Sequence, residues 1–201
     1  MILRVVNGRV PEGQLAAVRA SLERDYVPAA RRQPGLDRFL IATRPDGSGH
    51  EIALMTVWTD LDSALAAYGG NLAAVRTLDG VGHGELLESV DYYEVGPEEV
   101  RRGDGLPRHL RLTAGTVGHG LDADIQRDLR SRLAGLEAEL VDAYVGRRVQ
   151  GSSVEIAFVS TWSAPPATRA LDEPIWPDIS AQYESFVVRL FDVLLAGSPD
   201  G

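Results

Sequence analysis

Apolar and polar positions along the chain alternate between two periods, and the order of the switches predicts the elements. Residues 2–10 are rich in β-branched side chains and read as a strand. After Pro11-Glu12-Gly13, the residues Leu15, Val18, Leu22 and Tyr26 recur at helical spacing, with Arg19, Glu23 and Arg24 between them. A helix is expected there, kinked or restarted at Pro28 and ended by Pro34-Gly35. Residues 37–44 and 51–58 read as two strands of a hairpin turned at Asp46-Gly47-Ser48-Gly49. Thr59 or Asp60 caps a second helix expected over 61–77, and 86–95 supply a fourth strand. This order, β-α-β-β-α-β, is that of ferredoxin-like folds.

The same order then recurs. Glu51-Ile52-Ala53-Leu54-Met55-Thr56-Val57-Trp58 is closely matched by Glu155-Ile156-Ala157-Phe158-Val159-Ser160-Thr161-Trp162, and each run follows a Gly-Ser pair. Residues 4–10 are matched in the same way by residues 111–117. The second copy is expected to have a strand over 109–117 and a helix capped near Asp122 or Asp124, with Ile125, Leu129, Leu133 and Leu136 on one face. Strands over 140–148 and up to Trp162 should follow, then a proline-rich region over 163–182 and a last strand over 184–195. The expected fold class is α+β, with two tandem ferredoxin-like modules at 1–100 and 108–197 and a linker at 101–107. A four-stranded sheet with helices on one face leaves its other face bare. Covering it with the second copy predicts an internal pseudo-dimer, and hence a monomer or a dimer through other surfaces.

Composition narrows the chemistry. There is no Cys, which excludes thiolate nucleophiles, thiolate metal sites and disulfides. There is no Lys either, so Schiff-base chemistry and a Gly-Lys-Ser/Thr phosphate loop are excluded. A net charge of −9 with only isolated Arg pairs argues against nucleic acid as a partner. No apolar run reaches the length of a membrane span and no leader pattern is present, so no membrane association and a cytoplasmic location are expected. No His-Glu-x-x-His, Gly-x-Ser-x-Gly or Gly-x-Gly-x-x-Gly motif occurs, so no metal or dinucleotide is expected.

The strand ending Thr56-Val57-Trp58 before an Asp-capped helix, the run Tyr26–Gly35 and the strand Glu88–Tyr93 together resemble the antibiotic biosynthesis monooxygenase family of the dimeric α+β barrel superfamily. That resemblance implies an intramolecular α+β barrel and a pocket between the sheet and the helices of the first copy. The haem-degrading branch of the family places an Asn late in the first strand and a Trp and a His in the second helix region. Asn7 matches the Asn, and its counterpart in the second copy is Ala114. Tyr68 stands where the Trp falls, and Arg76 or Thr77 where the His falls. Neither Arg nor Thr ligates haem iron, so haem is disfavoured and no cofactor is expected; His83 lies several residues later on a glycine-rich stretch.

The resulting expectation is a cofactor-independent monooxygenase acting on a small aromatic or quinol-type molecule. Asn7 and Tyr68 are its candidate catalytic residues, with Arg9, Trp58, Tyr92 and His83 binding substrate. Arg9 is placed beside Asn7 by alternation, to favour an anionic substrate. The competing expectation is a non-catalytic binding or stress-response protein of the same fold, its helix side filled by Leu15, Val18 and Leu65. Two structural assignments accompany these. Trp58 and Trp162, present in both copies, read as core, and the shared Arg4/Arg111 and Glu51/Glu155 read as ions paired at the pseudo-dimer interface.

Overall fold

The computed structural model describes residues 1–74, 86–103, 105–118, 120–133, 140–164 and 177–199. It is an α+β protein of mainly antiparallel strands with few helices. Contacts divide it into two units: Met1–Tyr92 with Asp192–Gly201, and Tyr93–Phe191.

Unit 1 begins with β1 (Ile2–Val10) and a helical segment in three parts: α1 (Leu15–Ser21), a π-helical turn (Leu22–Tyr26) and α2 (Val27–Arg31). The π turn prepares the helix for Pro28. The Val27 N–H bonds the Leu22 carbonyl five residues back, and Pro28, lacking an N–H, then occupies the first turn of α2, where no donor is needed. The expected break is thus a change of helical register. β2 (Leu36–Asp46) and β3 (Gly49–Trp58) form the predicted hairpin. α3 spans only Leu61–Ala67, shorter than the expected 61–77; the part of that range beyond 74 lies outside the described residues. It stops because Gly69 and Gly70 take φ of +64° and +81°, and the Gly70 N–H caps the Leu65 carbonyl at 2.7 Å. β4 (Leu87–Glu94) lies beside β1, and the end of the last strand lies beside β2, giving the order β4-β1-β3-β2-β9.

Unit 2 contains a 3₁₀ turn (Pro97–Glu99), β5 (Val100–Arg102), β6 (His109–Val117), α4 (Asp122–Leu133), β7 (Leu140–Gln150), β8 (Ser153–Trp162), α5 (Pro177–Ser180) and the first part of β9 (Tyr183–Gly197). Arg101 and Arg102, expected in a linker, belong to β5 and pair with Ala143 and Asp142 of β7. Most of the proline-rich stretch after Trp162 lies outside the described residues.

Strand registers in the two units agree rung for rung. β1 and β3 pair from Ile2↔Trp58 to Val10↔His50; β6 and β8 pair from His109↔Trp162 to Val117↔Val154. The hairpin partners β2 and β7 each carry a bulge opposite the Trp, between Leu36 and Arg38 and between Leu140 and Asp142. Each hairpin turns on a Gly with positive φ, Gly47 at +59° and Gly151 at +61°. Gly8 and Gly115 are matched in packing as well. A Cβ on Gly8 would sit 2.1 Å from the Leu86 carbonyl oxygen, and one on Gly115 would sit 2.2 Å from that of Ser185. In each unit the chain entering the last strand crosses β1 or β6 where only hydrogen leaves room.

Each unit has its own core on the helix side of its strands. In unit 1, Ile2, Val6 and Val10 of β1 and Ile52, Leu54 and Trp58 of β3 meet Val18, Leu22, Tyr26, Ala64 and Tyr68. In unit 2, Val117, Ile156, Phe158 and Trp162 meet Ile125 and Leu129. The parity of these positions fixes which face every other strand residue uses.

Candidate functional site

On the helix side of unit 1, one cluster of polar and aromatic groups is buried among apolar ones. Arg4 of β1 lies opposite Thr56 of β3 and is 2% exposed. Its guanidinium covers the ring of Tyr68 with 3.8 Å to the centroid, close contact for a cation–π pair. Its Nε donates to the Leu72 carbonyl at 3.0 Å and its Nη2 donates to the Ala74 carbonyl. Thr56 Oγ1 is the hub of the remaining bonds. It accepts from Trp58 Nε1 at 3.1 Å and shares a 3.2 Å hydrogen bond with the Tyr68 hydroxyl. Trp58 and Tyr68 meet edge to face at 5.7 Å, and Tyr26 meets Phe39 in the same way at 6.0 Å.

The sequence builds this arrangement locally. Asp60 caps α3 by accepting from the Ser63 N–H at 2.7 Å, and hydrogen bonding from Ser63 and Thr59 holds its carboxyl below the usual range. From that fixed start, seven residues of helix carry Tyr68 back over Thr56 and Trp58. Burial pushes the Tyr68 phenol up, opposed by the charge of Arg4, and burial pushes Tyr26 well up. Both phenols are therefore neutral at physiological pH, and Arg4 supplies the positive charge of the cluster.

Several expected site residues lie elsewhere. Asn7 is an odd-numbered residue of β1, whereas Ile2, Arg4, Val6 and Val10 face the helices. Alternation turns Asn7 to the face opposite Tyr68. It is 6% exposed, and its Oδ1 has no hydrogen-bond partner among the described residues. Arg9 is two-thirds exposed and paired with Asp46 at 2.9 Å and Glu88 at 3.6 Å, away from the Arg4 cluster on the helix side. Tyr92 is half-buried at the margin of the unit 1 core. His83 lies outside the described residues.

The shared arginines and glutamates, expected to pair with each other as ions, have other partners. Glu51 faces Arg9 in register, five rungs along β1 from Arg4, and its ion pair is with Arg44 at 2.6 Å. In unit 2, Glu155 pairs with Arg148 at 2.7 Å and accepts from the Tyr93 hydroxyl. Thr56 was not singled out from sequence. The available signal was its match to Ser160, which retains the hydroxyl: Trp162 Nε1 donates to Ser160 Oγ at 3.0 Å, as Trp58 does to Thr56. This repetition identifies the indole–hydroxyl bond as structural in both units.

Among the described residues no helix is long and apolar enough to cross a membrane, and no group of three or more His, Cys, Asp or Glu could hold a metal ion.

No family model matches the chain, and no curated protein matches it in sequence. Solved structures do match over nearly its full length. A candidate monooxygenase from Lactobacillus acidophilus superposes with a TM-score of 0.69 at 10% identity, covering 98% of this chain and 96% of the other. A second candidate monooxygenase, from Fusobacterium nucleatum, gives 0.64 at 13%, covering 98% and 94%. An anthrone oxidase-like protein gives 0.60 at 15%, covering 100% and 94%. At these identities the likeness shows a shared fold and nothing finer: the chain has the α+β fold of these three proteins.

Proposed function

We propose that this chain is a cofactor-independent oxygenase whose substrate is a small phenolic, quinol or anthrone-type molecule bound at the Arg4 cluster of unit 1. The observation that carries the reading is the buried Arg4 guanidinium stacked on Tyr68, beside Thr56 and Trp58. An electron-rich aromatic reacts with oxygen most readily as its phenolate or enolate. A buried cation favours that ionised form over the neutral one, because the low-dielectric surroundings strengthen their attraction. Aromatic rings and a neutral phenol donor beside the cation suit a flat hydroxylated ring. Two structural neighbours are named as candidate monooxygenases and one as anthrone oxidase-like, which supports an oxygenase reading and suggests an anthrone as the substrate to try.

For an anthrone the reaction balances without a cofactor. The ring methylene becomes a carbonyl, giving up four electrons; one oxygen atom of O₂ enters the product and the other leaves as water. Haem fits these residues poorly. The Tyr68 hydroxyl is engaged by Thr56 and its ring is covered by Arg4. The described histidines, His50 and His109, stand at the hairpin end of β3 and the start of β6.

We also infer that residues 1–100 and 108–197 are copies of one ferredoxin-like module. The matched registers, bulges, hairpin turns and close glycines support this. The copies are unequal in function, with the substrate in the first.

A second reading, a binding protein of the same fold without turnover, is favoured by how completely Leu15, Val18 and Leu65 help fill the helix side of unit 1. Oxygen uptake separates the two. Purified protein given 1,8-dihydroxyanthrone should consume oxygen and form the anthraquinone above the buffer rate. Binding of the anthrone, followed by tryptophan fluorescence, with no added uptake would leave only the binding reading.

A further inference from the structure

We propose that Arg4 reads the charge of the ligand, and that an anionic oxygen takes the place of the Leu72 and Ala74 carbonyls on its guanidinium, releasing the turn Gly69–Ala74 as a strap. The inference rests on the Arg4 cluster being the ligand site.

Three observations lead to it. First, Arg4 reaches across 68 and 70 residues of sequence to grip two backbone carbonyls of this turn. Carbonyls are neutral acceptors; an anionic oxygen pair adds direct charge attraction to the guanidinium and can accept two of its N–H groups in parallel. A carboxylate or phenolate therefore competes well for the same N–H groups, whereas a neutral amide or phenol offers no advantage over the carbonyls it would displace.

Second, the turn is built to move as a piece. The Asn71 side chain accepts from the Ala73 N–H at 3.0 Å, and the Asn71 carbonyl accepts from the Ala74 N–H at 3.1 Å, so residues 71–74 hold their own shape. At its near end stand Gly69 and Gly70, both in the left-handed region, where glycine can change conformation at little steric cost. A Cβ on Gly70 would meet nothing within 4 Å, so the hinge is not packed in place.

Third, the strap packs with the aromatic cluster. Leu72 is buried in the same core cluster as Trp58 and Tyr68, and its carbonyl sits on the guanidinium that stacks on Tyr68, so release of the turn frees the donors of that stack. The exchange links recognition to opening: only a ligand that satisfies Arg4 replaces what the strap supplied.

The test uses salicylate and its neutral isostere salicylamide, with the full-length protein. Titration followed by tryptophan fluorescence should give salicylate an affinity at least about tenfold higher, a difference of about 1.4 kcal/mol. Arg4→Gln should bring the two affinities together. Arg4→Lys, which keeps the charge and loses the fork, should keep the preference for salicylate. Amide hydrogen exchange supplies the second readout: saturating salicylate should speed exchange across 69–74, and Arg4→Gln should show that faster exchange without ligand. Equal affinities in the wild-type protein, binding of neither probe, or unchanged exchange in 69–74 at saturation would overturn the proposal. If salicylate loses its preference while 1,8-dihydroxyanthrone still drives oxygen uptake, the strap is wrong and the oxygenase stands. The reverse pattern leaves the strap and removes the oxygenase.

Discussion

Thr56 and Arg4 face each other across β1 and β3, and between them they organise Trp58 and Tyr68. Thr56 is the tighter constraint on the fold because two buried groups bond to one oxygen. Thr56→Val leaves the Trp58 N–H without its acceptor and the Tyr68 hydroxyl without its partner, and each such loss costs about 1–3 kcal/mol. Thr56→Ser keeps the oxygen, as Ser160 does in unit 2, and should cost less than about 1.5 kcal/mol. Chemical denaturation of the two variants checks this; equal losses would mean that the methyl and not the hydroxyl matters. Sequence alone placed Tyr68 and Trp58 in the region of interest but misjudged their companions. Asn7 was chosen by its distance along β1, while the face it uses depends on parity, and a shift of one residue turns a side chain through the sheet. The shared arginines and glutamates were read as paired ions because both recur in the second copy. Recurrence says that two residues are retained, and only register says that they meet.

At the scale of elements, the order of strands and helices, both hairpin turns and the Trp-ended strands were legible, because each rests on local chemistry: β-branched runs, a Gly-Ser turn, an Asp cap. The length of α3 was legible in principle, since Gly69-Gly70 is a strong helix stop, yet the expected helix ran through it to 77. The crossing of the chain over Gly8 and Gly115 was not legible. It depends on how closely a distant backbone approaches, here that of Leu86 and of Ser185. Gly8→Ala should destabilise by about 1–3 kcal/mol or more, as overpacking against a backbone does, and Gly115→Ala should do the same. A thermal melt in which either variant matches the wild type would mean that the crossing segment can retreat.

For the molecule as a whole, unit 1 is discontinuous in sequence. The outer edge of β2 is completed by residues near the chain's far end, with Phe39, Leu40, Ile41, Ala42 and Thr43 pairing with Gly197, Ala196, Leu195, Val193 and Asp192. A fragment of residues 1–100 lacks that strand and exposes a row of backbone donors and acceptors beside apolar side chains. It should associate or precipitate; a soluble, monomeric and folded fragment by light scattering would show that the returning strand is dispensable. The sequence repeat suggested two contiguous modules, and the return of the last residues to β2 was not visible in it, because a repeat records which elements exist and not which neighbour each one pairs with.

The two units share a buried Arg, Arg4 and Arg111, at the same register, and the functional account assigns only the first to substrate. The direct test is oxygen uptake with 1,8-dihydroxyanthrone by wild-type protein, Arg4→Gln and Arg111→Gln, each confirmed as folded by circular dichroism. The account predicts uptake by the wild type, its loss in Arg4→Gln, and its retention in Arg111→Gln. Uptake unaffected by Arg4→Gln, or lost equally in both variants, would contradict a substrate site at Arg4 in the first unit.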